Sequence, residues 1–435
     1  MISVAEAEQI IFKTAKNSQN TEGGVSGFEF RVLSTANSKP KTQNVKLQKS
    51  IRRILAEDIV ADRDFPPFDR VTMDGIAINF SSFQKGQRSF FIENIQAAGQ
   101  PPLILTDKSH CIEIMTGAVM PSGCDTVVRY EDLKIENGFA QIQIENIDFQ
   151  QNTHKKGSDR KAGNVLIQKG TRLSAAEIGT AATVGKSILQ VYTLPKVAII
   201  STGNELVEIN ETPELHQIRR SNIYAIAALL ADKFNIAAQL FHFDDNEAEI
   251  TEGVKNILAE ADLVILSGAV SEGKFDFVPK ALELNGVKCL FHKVAQRPGK
   301  PLWFGQKEQE KDGEEDNQKE SDKQNGTVVF GLPGNPVSTF MCACRYVLPW
   351  IEQFLGQNKT PQYAMLSEGF SFKPSLTYFL QVKIENIQGV LTAKPTTGGG
   401  SGDLANLNDA DGFLELPLEK TVFLKGEVFK FIGFK

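Results

Sequence analysis

Four short runs in the middle of the chain carry residues able to hold an oxyanion: STGNEL (201–206), QIRRSN (217–222), SGAVSEGKFDF (267–277) and GLPGNPVS (331–338). Glycine lets a backbone approach a ligand closely, and the helix starts that follow offer free N–H groups at a positive dipole end. One glycine-rich turn would most often serve only the turn. Four loops in consecutive strand–loop–helix units point instead to a phosphate cradle. A fifth run, HKVAQRPGKP (292–301), gathers Lys293, Arg297 and Lys300 around a proline-bounded turn, an arrangement suited to charge-assisted binding of an oxyanion. Asp276 follows Gly273 by three residues at the head of DFVPKALEL. It reads either as a helix cap or as a carboxylate for a hard divalent ion such as Mg2+, which takes one or two carboxylates plus phosphate oxygens.

Other chemistries find less support. The cysteines (Cys111, Cys124, Cys289, Cys342, Cys344) are few and odd in number for a chain of 435 residues, so reduced, buried thiols are expected rather than a disulfide framework. The histidines (His110, His154, His216, His242, His292) form no H-x-x-x-H pair, and Cys342 and Cys344 stand in a C-x-C within an apolar helical run, so a zinc site lacks a ligand pattern. A net charge of −6 gives no general attraction to a phosphate backbone and argues against nucleic acid as partner. The opening MISVAEAEQIIFKTAKN has an acidic residue where a signal core would lie, and no apolar run is long enough to span a bilayer. A cytoplasmic protein is expected.

The elements that must position these loops follow from the spacing of apolar residues. From Lys196 the pattern is strand, loop, helix: KVAIIST, then NIYAIAALLADKF, IAAQLFHF, DLVILSG, and TVVFGLPG before VSTFMCACRYVLPWIEQFLG. That alternation predicts a parallel, doubly wound sheet in a three-layer α/β/α sandwich. Between about Phe80 and Phe149, SFFIENIQA, CIEIMTGAV, TVVRYEDLKIE and AQIQIEN alternate as short strands and predict a small all-β unit. Residues 4–16 predict an amphipathic helix, and LQKSIRRILAEDIVA carries a second helical pattern. The polar stretch 17–46 predicts a long loop with one strand around FEFRVL. Ser174 with Glu177 predicts a capping box. Segment 306–326 carries four lysines against eight acidic residues and so few apolar ones that disorder is expected. After Gly356, FLQVKIENIQGVLTAKP and TVFLKGEVFKFIGF predict a small C-terminal barrel or sheet.

Seven runs, in order, closely resemble the molybdopterin molybdenumtransferase family, called MoeA in bacteria and the E domain in gephyrin. They are PPFDRVTMDGIAI (66–78), IMTGAVMPSGCDTVVRYED (114–132), KGSDRKAGNVLIQKGTRLSAAEIG (156–179), VAIISTGNELVE (197–208), SGAVSEGKFDF (267–277), VAQRPGKPLWFG (294–305) and GLPGNPVSTF (331–340). The resemblance spans roughly Asp58 to Ser338. It implies four domains: a discontinuous α+β domain (1–60 and 150–192), an inserted β domain (61–149), a MogA-like molybdopterin-binding sandwich (193–357) and a C-terminal barrel (358–435). It also implies an elongated homodimer, in which the crevice of one subunit faces the smaller N-terminal domains of the other. The reaction implied is the last common step of molybdenum cofactor synthesis. Adenylylated molybdopterin and molybdate are the substrates, AMP is released with magnesium, and molybdenum is placed on the dithiolene sulfurs.

By motif, the resemblance carries over Asp74 in MDG, Thr116 in MTGA, Asp159 in the GSD turn and Glu177 in SAAEIG as functional positions, with Asp276 and Lys293 on the sandwich side. Ser271, Arg297, Lys300, Pro333, Asn335, Pro336, Ser338 and Ser401 follow as substrate-binding positions, and Asp276 as the metal ligand. Three places depart from the family pattern. Arg220 stands where many relatives have aspartate, Ala269 adds a methyl to a frequent GGVS, and Gln381 occupies a frequent arginine position. Lys383 lies on the same strand face as Gln381 and could supply the charge. The sandwich also resembles molybdopterin adenylyltransferases, which use ATP, and gephyrin offers a scaffolding alternative. The MDG and MTGA runs and the C-terminal β region favour the transferase. Transient docking of an adenylyltransferase is a further expectation.

Overall fold

Strand–helix alternation from residue 197 builds one six-stranded sheet from Val197–Thr202 (β1), Gln239–Phe243 (β2), Leu263–Ser267 (β3), Val287–His292 (β4), Trp303–Lys307 (β5) and Val328–Leu332 (β6), in spatial order β2-β1-β3-β6-β5-β4. The computed structural model describes residues 1–15, 41–268, 277–308, 326–357, 360–396 and 400–435. Every residue of β1, β3 and β6 is buried, as expected for strands covered on both faces. Side chains alternate between the two covers. Ile199, Ile265 and Phe330 pack with Ile223, Ile226 and Leu230 of the Ser221–Phe234 helix, whereas Ile200, Val264 and Val329 pack with Ile250, Val254 and Leu258 of the Glu247–Glu260 helix. The sandwich is therefore three-layered.

Four strands, β2, β1, β3 and β6, run parallel. The last two join antiparallel, β5 to β6 and β4 to β5. The described links around them, 293–302 between β4 and β5 above all, contain no crossover helix, and neighbouring strands joined by a loop pair antiparallel. Most of the charged 306–326 stretch lies outside the described residues, as do residues 17–40 with FEFRVL.

The helix after β6 is continuous but not uniform: Pro336–Cys342 passes through a π-helical turn, Ala343–Val347, into Leu348–Phe354. Pro349 has no N–H to give to the preceding turn, and a wider turn accommodates that gap. C-terminal to it, Thr377–Ile387 pairs with Val390–Pro395 on one side and Gly412–Leu416 on the other. With Gln362–Leu366 and Val428–Gly433 this closes a five-stranded barrel around Leu366, Leu380, Val382 and Leu414.

By its contacts the chain divides into two compact units. The sandwich and barrel belong to the first, which comprises Met1–Val45, Ser50–Ala56 and Gln190–Lys435. The second, Lys46–Lys49 with Glu57–Leu189, holds a six-stranded sheet in the order Thr126–Arg129, Gly75–Ile78, His110–Ile114, Ser89–Gln96, Phe139–Ile142, Leu133–Glu136. It also holds the Ala175–Thr183 helix, whose Ser174–Glu177 capping box forms as the sequence predicts.

Two expectations are corrected. LQKSIRRILAEDIVA is not a helix beyond the single 3-10 turn Leu47–Lys49: Arg52 adopts φ 64°, and Leu55 pairs with Val191 in an antiparallel bridge. Backbone pairing wins over its helical spacing. The five cysteines are free, but only Cys111, Cys342 and Cys344 are buried. Cys289 points outward from β4, and Cys124 is half-buried. No helix among the described residues is long and apolar enough to cross a membrane.

Candidate functional site

In the second unit one short strand links three of the four sequence-predicted residues, Asp74, Thr116 and Asp159. Arg70–Val71 pairs antiparallel with Thr153–His154, and Val71 exchanges backbone hydrogen bonds with Gly117 (2.9 Å) and Ala118 (3.0 Å) of the MTGA turn. The MDG and MTGA runs therefore meet, although 42 positions separate them. Asp74 Oδ1 accepts a hydrogen bond from the backbone N–H of Thr116 at 2.6 Å. Both residues are exposed, and the backbone and side-chain hydrogen bonds from Thr116 hold the Asp74 carboxyl below its ordinary pKa. Gly75 explains the third letter of MDG. Its strand lies between two others, and a Cβ there would collide with the carbonyl oxygen of Val128 and lie 2.8 Å from Cα of Arg129.

Asp159 is oriented from the other side of the same strand. His154 Nε2 lies 2.8 Å from Asp159 Oδ1, and Arg70 Nη2 lies 3.2 Å from His154 Nδ1. A guanidinium only donates, so Nδ1 is the acceptor, and the proton on Nε2 is donated to Asp159. Glu177 is engaged differently. Its carboxylate accepts from the Ser174 N–H at 2.8 Å, and its pKa is lowered by the Ser174 side chain and then the Ser174 backbone.

In the first unit, the 331–338 loop is joined to the segment around Ser401. Val337 N–H donates to the Ser401 carbonyl (3.0 Å), and Asn335 Nδ2 donates to Ser401 Oγ (3.1 Å). The hydroxyl of Ser401 thus accepts from Asn335 and keeps its own proton for another acceptor. Pro333 offers its carbonyl to the Thr339 hydroxyl, and Ser338 is buried in the first turn of the following helix.

The cationic turn is anchored from beneath. Val294 N–H bonds Lys300 O and Lys293 N–H bonds Leu302 O, each at 2.9 Å, which folds 293–302 back on itself. Buried Gln296 donates to Gly299 O at 2.9 Å and accepts from the buried Tyr346 hydroxyl. Gly299, at φ 90°, packs so closely that a Cβ would lie 2.5 Å from Cys342 Sγ and 2.8 Å from Gln296 Nε2. The result is a fixed turn that leaves Arg297 and Lys300 exposed, with Arg297 Cζ 6.0 Å from the centre of the Phe372 ring. Lys293 is half-buried at φ 73°.

Ser271 and Asp276 lie outside the described residues, and the helix that follows them, Val278–Leu284, has Phe277 at its cap position. Among the described residues no group of three or more His, Cys, Asp or Glu side chains could hold a metal ion. Arg220, the departure in the second loop, pairs with Glu208 and is largely buried. Nearby His242 has a lowered pKa through burial and then the charge of Arg220. Gln296 and His154 went unnoticed in the sequence because their partners, Tyr346 and Arg70, are 50 and 84 positions away.

Comparison with known proteins covers nearly the whole chain. Residues 2–185 match the MoeA N-terminal region (domain I and II), 198–353 the probable molybdopterin binding domain, and 363–434 the MoeA C-terminal region (domain IV). A molybdopterin molybdenumtransferase of Synechocystis sp. is 39% identical over 88% of this chain and 92% of its own length. One of Bacillus subtilis is 31% identical over 87% and 86%. The crystal structure of a molybdopterin biosynthesis MoeA protein from Pyrococcus horikosii superposes with a TM-score of 0.74 at 27% identity, covering 100% of this chain and 99% of that one.

Proposed function

We propose, from the premise that this chain belongs to the molybdopterin molybdenumtransferase family, that the loops at the C-terminal edge of its sandwich bind adenylylated molybdopterin and that AMP is released there. Molybdenum insertion in cofactor biosynthesis is the activity, and the chain is a transferase.

The observation that carries the substrate reading is the cationic turn. Buried Gln296 and the contact of Gly299 with Cys342 hold its backbone, so the positions from which Arg297 and Lys300 reach a diphosphate are set, and only the two exposed side chains remain to be ordered. Cations carried on a fixed backbone favour the extra charge that gathers on the phosphate oxygens as the anhydride bond breaks. Ser401, accepting from Asn335, directs its hydroxyl proton to the molybdate oxygen, with Ser338, Pro333 and Pro336 shaping the loop.

Mg2+ belongs to the same proposal. The ion is assigned to Asp276 from the SGAVSEGKFDF motif, because Mg2+ takes one or two carboxylates together with phosphate oxygens and needs no protein cage. When bound it would neutralise phosphate charge. Asp74 and Asp159, each held by a hydrogen bond, provide oriented carboxylates, and Thr116 sets the first of them. A homodimer in the cytoplasm, visited by the enzyme that supplies the adenylylated substrate, completes the reading.

The test is incubation of purified protein with adenylylated molybdopterin, Mg2+ and molybdate while AMP is followed. AMP release that requires molybdate supports the proposal. No AMP release, or a requirement for ATP, removes it and favours the adenylyltransferase alternative.

A further inference from the structure

Asn222 closes the QIRRSN run and stands in the first turn of the Ser221–Phe234 helix, at the C-terminal edge of the sheet. Its Nδ2 lies 2.8 Å from Gly334 O, 3.0 Å from Ser267 Oγ and 3.3 Å from Thr339 Oγ1. A carbonyl only accepts, so the contact with Gly334 fixes the nitrogen, not the oxygen, on that side of the carboxamide. The two amide protons then go to Gly334 O and Ser267 Oγ, the nearer acceptors. Thr339 has its own tasks, with its hydroxyl set against Pro333 O and, at 3.0 Å, Asn335 O.

These contacts join two separate pieces of the site. Ser267 ends β3, Gly334 is the turn of the 331–338 loop, and Gly268 N–H already bonds Leu332 O at 3.1 Å. Gly334 lies so close that a Cβ on it would sit 3.7 Å from Gly268 Cα. At the same time Asn222 Oδ1 is buried and has no partner among the described residues. Burying an unpaired acceptor costs about 1–3 kcal/mol. Every contact of the carboxamide among the described residues is thus made by its donor half.

We infer that Asn222 is a positioning residue of the site: it fixes the distance between the strand end at Ser267 and the turn at Gly334, and through that distance the fit of the substrate. The inference rests on the substrate reading above for its functional half, and on hydrogen bonds alone for its structural half. Because Asn222 acts through loop geometry, substrate binding should suffer more than the chemical step.

The test has two arms on the full-length protein. In the first, without substrate, hydrogen exchange is measured for peptides covering 331–338. Asn222→Ala is expected to speed exchange there about tenfold or more while barrel peptides remain unchanged. Unchanged exchange overturns the tie. In the second, AMP release is measured at varied adenylylated molybdopterin. The expected result is KM raised about tenfold with kcat within about threefold, and Ser267→Ala adding little in the Asn222→Ala background. A fall confined to kcat, or fully additive effects, overturns the positioning role. Asn222→Asp, which removes the donors at nearly constant size, answers the same questions if the alanine variant does not fold. Should the wild-type protein release no AMP, the substrate reading fails while the exchange arm still decides the tie.

Discussion

Thr116 gives its backbone N–H to Asp74 Oδ1 across 2.6 Å, so a loop amide selects the orientation of a carboxylate that lies 42 positions earlier. The bond favours the ionised form, which is why the Asp74 pKa lies below its ordinary value. The stabilisation from this group is complete above the unfolded-state pKa and is lost as pH falls through the lower folded one. An NMR titration of Asp74 should show its pKa rising in Thr116→Ala, which loses the hydroxyl but keeps the amide, and still remaining below the ordinary value. A pKa unmoved by that change would mean that the side chain contributes nothing. Asp74→Asn, which preserves the acceptor, should leave the melting temperature nearly unchanged and slow AMP release about 100-fold.

Gln296 bridges the cationic turn to the helix beneath it. Gln296→Leu strands the Tyr346 hydroxyl and leaves the buried Gly299 carbonyl only the weak Cys342 thiol contact at 3.9 Å, at a cost of about 2–4 kcal/mol. Urea denaturation measures that loss. A stability change below about 1 kcal/mol would show that water or a neighbour takes over both bonds.

Arg297 and Lys300 are exposed, so replacing them should spare the fold. Each alanine variant should raise KM for the adenylylated substrate about tenfold and weaken the dependence of binding on ionic strength. Equal affinity in high and low salt for the wild-type protein would count against an anionic ligand at this turn.

Arg345 is 4% exposed and joins Glu8 of the first helix, Val4–Ala15, at 2.8 Å to Glu415 of the barrel at 2.9 Å. Burial works to raise the Glu8 pKa, but Arg345 and then Lys430 outweigh it, and the pKa is lowered. Stability from Glu8 is therefore present above its unfolded pKa and lost as pH falls through the folded value. Arg345→Ala leaves two carboxylates without their main partner. It should cost about 3–5 kcal/mol near neutral pH and move the acid unfolding midpoint upward. A midpoint that does not rise would refute the coupling.

Gln381 is occupied by Asn406, whose Nδ2 donates to its Oε1 at 2.8 Å, while Lys383 is exposed two residues along the same strand. If Lys383 supplies the charge that the family resemblance implies at 381, Lys383→Ala should raise the molybdate concentration needed for half-maximal AMP release about tenfold. The same molybdate dependence in variant and wild type would remove that assignment.

The sandwich was legible because VAIIST, LVILS and VVFGL are buried on both faces, and such strands read as unbroken apolar runs. Its loops were legible because glycine and proline mark where a backbone must turn. What stayed hidden shares one cause. His154, Gln296 and Asn222 are polar residues whose importance lies in a partner far along the chain, and sequence spacing carries no trace of such a partner. LQKSIRRILAEDIVA misled for a related reason: its local helical spacing gave no notice of the Val191 strand that pairs with Leu55.

The wide turn at Ala343–Val347 sets the angular phase of everything after it. Each residue of an ordinary helix advances the direction of its side chains by roughly 100°. Excising one residue from this stretch would let the coil tighten and swing Trp350 and Ile351 away from the core they fill. Tyr346 would lose its aim at Gln296, and the loop bearing Arg297 would lose its footing, although no ligand-facing residue had been altered. A single surplus residue in a helix is thus a setting screw for a pocket it never touches.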